Sequence, residues 1–263
     1  MSRSGKLLLA AVLGIGTLAL GLGETRAGTL EIVISEGATS YSILDQGPLD
    51  LNSALNQISS NSPNAGLVFP DFTVVGLSSS TNNPGQVNPT GAVLSLSGEV
   101  QRTTSGAAAT LTITVTDTDY MVPAGVGLKL ISTASDSFSN VTGGSSQMFT
   151  SYINPSNTPG ATDIGTSTLN YSMSGTGSNP PLGSTGKVAL PGLNVPAPYG
   201  LTSVTTITLA GATGLNVPDV TFTGQTQALA TIPEPASLTL MGTGIAFVLL
   251  AGYRRARKHS RSR

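Results

Sequence analysis

Residues 109–120 read "ATLTITVTDTDY". Leu111, Ile113 and Val115 alternate with Thr110, Thr112, Thr114 and Thr116. A period of two puts the aliphatic side chains on one face and the threonines on the other, the pattern of a half-buried strand. Ile, Val and Thr branch at Cβ, which suits a pleated surface better than a helix. The same alternation recurs along the chain. "TLEIVIS" sets Leu30, Ile32 and Ile34 on one face, and "AVLSLSGEV" does so for Leu94 and Leu96. "GVGLKLIS" aligns Leu128 and Leu130, "SVTTITLAG" aligns Ile207 and Leu209, and "PDVTFTG" aligns Val220 and Phe222. Gly, Pro and Asn clusters separate these runs. About seven to ten short strands so punctuated predict an all-β body, an antiparallel β-sandwich or a jelly roll.

One segment departs from the pattern. "LDLNSALNQISS" (49–60) spaces Leu51, Leu55 and Ile58 at i, i+4 and i+7, which predicts a short helix. Residues 140–200 are rich in Gly, Ser, Thr and Pro, so a flexible spacer is the alternative there to further strands. Two tandem sandwiches would divide at "NPSNTPGATD" (154–163) or "GSNPPLGSTG" (177–186). The preferred reading is one body over residues 28–231. Gly192-Leu193-Asn194-Val195-Pro196 returns as Gly214-Leu215-Asn216-Val217-Pro218. Two copies do not make a solenoid, and they read as similar loops entering neighbouring strands.

Composition narrows the chemistry. The 263 residues include no cysteine, so disulfides, thiol nucleophiles and thiolate metal sites are excluded. The one histidine is His259, near the C-terminus. The body therefore lacks a Ser-His-Asp triad, a Cys-His pair and the usual zinc or iron ligands. Paired carboxylates remain, and a polysaccharide-degrading enzyme needs only two. Yet there is no Trp to form a sugar platform, and the Tyr and Phe residues are scattered. No catalytic residue is assigned, and the chain is read as a non-enzyme. The best local acid pair is Asp117 and Asp119 at the end of the 109–120 run. Alternation would point both side chains to one side, where Ca²⁺ could join them to loop carbonyls. The competing reading makes them turn formers bonded to nearby backbone, as for Asp45 and Asp50 around Gly47-Pro48. No other cofactor is expected. All the acids except Glu24 and Glu234 fall within 28–232, where Arg102, Lys129 and Lys187 are the only bases. So acidic a body offers nothing to offset phosphate repulsion, and nucleic acid is not an expected partner.

The ends carry the remaining information. Arg3 and Lys6 precede an almost wholly apolar run over residues 7–22, and Thr25-Arg26-Ala27 follows. This is the form of a secretory signal peptide (1–27), cleaved before Gly28 and implying the Sec machinery and signal peptidase as partners. At the other end Ala236–Tyr253 is an uncharged stretch of 18 residues. As a helix it would be about 27 Å long, near the lower limit for a single transmembrane span. Arg254, Arg255, Arg257 and Lys258 follow it. By the positive-inside rule that tail (254–263) stays cytoplasmic while the body lies outside.

Pro233-Glu234-Pro235, the apolar stretch and the terminal basic cluster stand in that order. Together, over residues 232–263, they resemble a PEP-CTERM sorting signal. The resemblance implies a Gram-negative-type bacterium that makes exopolysaccharide, and an exosortase-type membrane transpeptidase that recognises and cleaves this end. The anchor is then transient, and the body passes to the outer surface or extracellular matrix. It also implies a structural role in the exopolysaccharide or biofilm layer. An adhesin or carbohydrate-binding sandwich is the alternative. Pro233 and Pro235 fix their own φ and disfavour helix before them, so the segment ahead of the span stays extended, the form a protease binds. Replacing Pro233, Glu234 and Pro235 together is expected to leave a membrane-retained precursor, read by fractionation and immunoblot. Intact mass of the released wild-type chain is expected to lack His259.

Overall fold

The computed structural model describes residues 28–87, 89–141, 143–172, 182–211 and 217–231. The predicted signal peptide, membrane helix (236–253) and basic tail lie outside the described residues. Among the described residues no helix is long and apolar enough to cross a membrane.

Two antiparallel sheets make up the body. The first contains β1 (Glu31–Glu36), β2 (Thr39–Leu44), β6 (Ala109–Tyr120), β8 (Ser146–Asn154), β9 (Ile164–Gly165), β10 (Leu169–Ser172) and β12 (Tyr199–Leu209). Its order is β10-β8-β12-β6-β1-β2, with β9 also paired to β8. The second contains β3 (Gln57–Ser60), β4 (Phe72–Thr81), β5 (Ala92–Arg102), β7 (Gly125–Ser139), β11 (Leu182–Val195) and β13 (Asp219–Ala230). Its order is β11-β7-β13-β5-β4-β3. Strands from before and after residues 154–163 share each sheet, so that stretch does not separate two sandwiches. β8 to β12 likewise place five strands in or running into the 140–200 region.

Register aligns the inner faces. Ile34 of β1 stands beside Ile113 of β6, which stands beside Thr205 of β12, itself opposite Phe149 of β8. In the second sheet Phe138, Val220 and Val100 form one such row, and Leu130, Ala228 and Ala92 another. The aliphatic positions of the alternating segments lie in the core between the sheets. The core is not uniformly apolar. Around β8, β12, β13 and β7 the buried inner positions include Ser151, Ser203, Thr205, Thr226 and Ser132. Thr226 donates across the sandwich to the Ser151 hydroxyl at 2.7 Å, and the Tyr171 hydroxyl donates to the Ala134 carbonyl at 2.9 Å. In this part of the core Phe149, Ala134 and Leu169 form a separate apolar cluster. The Phe149 ring sits directly over Gly224, where a Cβ would collide with it.

The two ends of the sandwich close differently. At one end Tyr120 and Tyr199 stack with centroids 5.7 Å apart. The Tyr120 hydroxyl reaches the other sheet, bonding Thr81 Oγ1 at 2.5 Å and the Val93 carbonyl at 3.0 Å. At the opposite end Arg102 is buried and donates to the carbonyls of Leu209 and Ala107. Asp71 lies 3.5 Å from its guanidinium, and the Phe72 ring packs against it.

The helix expected over 49–60 is absent. Residues 51–56 are irregular, and Gln57–Ser60 form β3. Asp50 Oδ1 accepts the N–H groups of Asn52 and Ser59, its Oδ2 accepts that of Gln46, and Asp45 Oδ2 accepts that of Asn56. Carboxylates that capture these donors compete with the helical i→i−4 ladder. Leu51 and Leu55 stay exposed, and of the three spaced residues only Ile58 is buried, as part of β3. The only described helix is the single turn α1 (Ser62–Ala65), capped by Asn61 Oδ1 and ended by Gly66 in the left-handed region.

Gly224→Ala is expected to destabilise the fold by about 1–3 kcal/mol, because the methyl overpacks Phe149. Phe149→Ala should cost about 3–5 kcal/mol through the cavity it leaves. Chemical-denaturant midpoints at unchanged m-value check both.

Candidate functional site

The outer face of the second sheet carries the polar half of each alternating run. Ser97 of β5 lies between Ser78 of β4 and Thr223 of β13, and Ser95 lies between Ser80 and Gln225. Thr133 of β7 flanks Gln225 on the far side. Period-two alternation forces this arrangement, because the Leu and Phe neighbours of these residues are spent on the core. Hydroxyls bond across the strands, Ser78 to Ser97 at 2.8 Å and Ser135 to Thr223 at 2.7 Å.

These residues line a groove of about 500 Å³, bounded on one side by Asn52 and Gln57. An adjoining depression of about 400 Å³ shares Ser78, Ser97 and Thr223 with it and extends to Asn61 and Glu99. Hydroxyls and carboxamides, groups that both donate and accept, line the main groove together with Ile58 and Leu96. Glu99 is the one carboxylate in either lining. A carboxylate pair for acid–base work on a glycosidic bond is therefore not assembled in this groove. Ser95, Ser97 and Thr223 are visible in the sequence as the solvent side of alternating runs, whereas Ser78 and Ser80 are not, because the buried residue between them is a serine as well. That β3, β4, β5, β13 and β7 stand side by side is not visible either, because strand order follows no local signal.

The sequence-predicted acid pair is placed differently from simple alternation. β6 pairs Asp117 with Leu201 and Tyr120 with Tyr199, so three steps on β6 face two on β12. This bulge turns Asp119 to a φ of 66°. Asp117 is fully buried, and its Oδ2 accepts from Asn83 Nδ2 at 3.1 Å. Asp119 faces the 155–160 loop instead. Its N–H donates to Asn157 Oδ1 at 2.9 Å, and its Oδ1 accepts from Asn157 Nδ2 at 2.7 Å. The two carboxylates thus hold different partners on different segments. Among the described residues no group of three His, Cys, Asp or Glu side chains gathers as a metal site would require. Burial pushes the Asp117 carboxyl above its usual range, against the pull of the Thr81 hydroxyl and the Asn83 amide. Burial and the neighbouring Asp117 charge raise the Tyr120 phenol well above its ordinary value.

Pro233, Glu234, Pro235 and the basic cluster Arg254, Arg255, Arg257 and Lys258 lie outside the described residues. At the level of class, the chain is an antiparallel two-sheet β-protein bearing a C-terminal sorting signal. That signal is the PEP-CTERM protein-sorting motif, whose family model matches residues 231–258. No curated protein matches the sequence. Among solved structures, the enzymatically active domain of tailspike protein 4 from bacteriophage CBA120 shares 14% identity at a TM-score of 0.25. That match covers 67% of this chain and 19% of the tailspike chain. A carbohydrate-binding module, TmCBM61 in complex with β-1,4-galactotriose, shares 10% identity at a TM-score of 0.28. It covers 66% of this chain and 88% of the module. A β-sandwich carbohydrate-binding module described as promiscuous in specificity shares 10% identity at a TM-score of 0.25, over 79% of this chain and 76% of its own.

Asn157→Ala removes both bonds to Asp119 and is expected to cost about 1–2 kcal/mol. Thermal unfolding of the variant beside the wild type measures it.

Proposed function

We propose that this is an exported surface protein and a structural component of the exopolysaccharide or biofilm layer. Its PEP-CTERM end is processed by an exosortase-type transpeptidase once the body has crossed the inner membrane. The sorting motif at residues 231–258 carries this reading. It is supported by the body itself, whose lack of cysteine and histidine removes thiol and imidazole chemistry. No reaction is assigned to the chain.

A second reading, direct binding of polysaccharide, is favoured by one observation: the groove over Ser78, Ser97, Thr223 and Gln225. A hydroxyl-rich, uncharged sugar chain needs closely spaced groups that donate and accept, and this surface supplies them without a charge to desolvate. Recognition there would rest on hydrogen bonds rather than aromatic stacking, because no ring lines the main groove.

Thr223 and Gln225 are exposed, so Thr223→Val with Gln225→Leu should leave Tm nearly unchanged. Retention on matrix polysaccharide is expected to fall by about tenfold, equivalent to roughly 1.4 kcal/mol. Affinity electrophoresis in extracted polysaccharide checks this. Equal retention of both proteins would leave the structural reading without the groove.

A further inference from the structure

The geometry points to Gly28 as the N-terminus of the exported protein, with its α-ammonium docked as an ion pair on the buried carboxylate of Asp117. This rests on the reading of residues 1–27 as a cleaved signal peptide and goes beyond the proposed role of the body.

The first observation is an acceptor with nothing to accept. Asp117 is 0% exposed, and its Oδ1 has no hydrogen-bond partner. Oδ2 accepts from the Asn83 side chain. The Thr81 and Tyr120 hydroxyls and the Thr118 N–H also act on this carboxyl, yet a fully buried oxygen without a partner of its own calls for one.

The second observation is what lies against that oxygen. An atom built at the Cβ position of Gly28 stands 2.5 Å from Asp117 Oδ1. It lies closer still to the Thr118 carbonyl oxygen and to the Asn83 side-chain nitrogen. No carbon can occupy that position, which accounts for glycine there. An ammonium nitrogen reaches the roughly 2.7–2.9 Å of charged N–H···O bonds once it stands about half an ångström further from the Thr118 carbonyl than that position does. Two of the three neighbours are acceptors suited to it. The third is the Asn83 side-chain nitrogen, which already donates to Asp117 Oδ2 and to the Thr118 carbonyl and has to move aside. The next residue is already held, with the Thr29 N–H donating to Thr118 Oγ1 at 3.3 Å.

Cleavage supplies the cation. Hydrolysis of the Ala27–Gly28 bond consumes one water, leaving a carboxylate on Ala27 and an ammonium on Gly28. Before cleavage the Gly28 nitrogen is a neutral peptide nitrogen tied to Ala27. Afterwards it is free to rotate about the Cα–C bond. In glycine that rotation carries it into a position otherwise filled by hydrogen, the one facing Asp117. This end of the sandwich is therefore completed only after the leader is removed, outside the inner membrane.

The test uses the exported chain and a second form that keeps Thr25-Arg26-Ala27 ahead of Gly28. N-terminal sequencing of the exported protein is expected to begin at Gly28; a different start overturns the proposal by removing the export premise. With a Gly28 start, Asp117→Asn is expected to lower Tm in the exported chain and to leave it equal or raise it in the extended form, where the buried charge has no partner. A drop of the same size in both overturns the ion pair while leaving the signal-peptide reading intact. Acetylation of the native α-amine by limiting reagent, mapped by mass, should run at least tenfold slower than in denaturant. Equal rates overturn the docking even if the variant fails to fold. A Tm of the exported chain that rises with Ca²⁺ and falls with chelator, and no longer does so in Asp117→Asn, would give the pocket to a metal and overturn the proposal.

Discussion

Phe149 seated on Gly224 is the contact around which one half of the sandwich is built. Two sheets can approach closely only where large residues on one inner face meet small ones on the other. Facing β8 and β10, the second sheet offers Gly224, Ala134, Gly186, Thr226 and Ser132. A Cβ at Gly186 would press on the Tyr171 hydroxyl, so that glycine belongs to the same accommodation. With side chains this small, little apolar volume is available, and the region is held by hydrogen bonds between sheets as well as by packing. Ser151–Thr226 and Tyr171–Ala134 supply them. The other half of the core, around β1, β6, β5 and β4, is a conventional aliphatic interior.

The bulge in β6 has consequences out of proportion to its size. Strict alternation from Val115 would turn Asp117 inward and Tyr120 outward. The extra residue opposite β12 lets both face inward. Tyr120 can then cross to Thr81 and Val93, tying the sheets together at that end. The cost is a carboxylate under the same roof, and the sequence places Gly28 against it. Asp119 is left at a positive φ, supported by the 155–160 loop through Asn157. One irregularity thereby joins β6, the chain's entry and a distant loop.

Much of the fold is legible in the residues themselves. The six alternating segments correspond to β1, β5, β6, β7, β12 and β13, because a half-buried strand writes its burial directly into period two. β3, β4, β8 and β11 are harder to read, since Ser, Gly and Thr occupy positions that face both inward and outward. The 49–60 segment misleads for a related reason. Its leucine spacing matches a helix, but Asp45, Asp50 and Asn52 draw the backbone donors into turns. Ser95, Ser97 and Thr223 of the groove are legible one by one as solvent-facing positions, but the groove as a surface is not.

What the chain determined alone was its class and its address. Alternation demands a sheet, the missing cysteine and body histidine exclude whole chemistries, and the sorting motif at residues 231–258 is itself a linear sequence signal. What only tertiary structure decided was adjacency: which hydroxyls share a groove, which glycine admits a ring, and which buried oxygen meets Gly28. Local pattern sets which face of a strand is wet. Strand order, register and a single bulge set what stands next to what, and those follow from the packing of the whole.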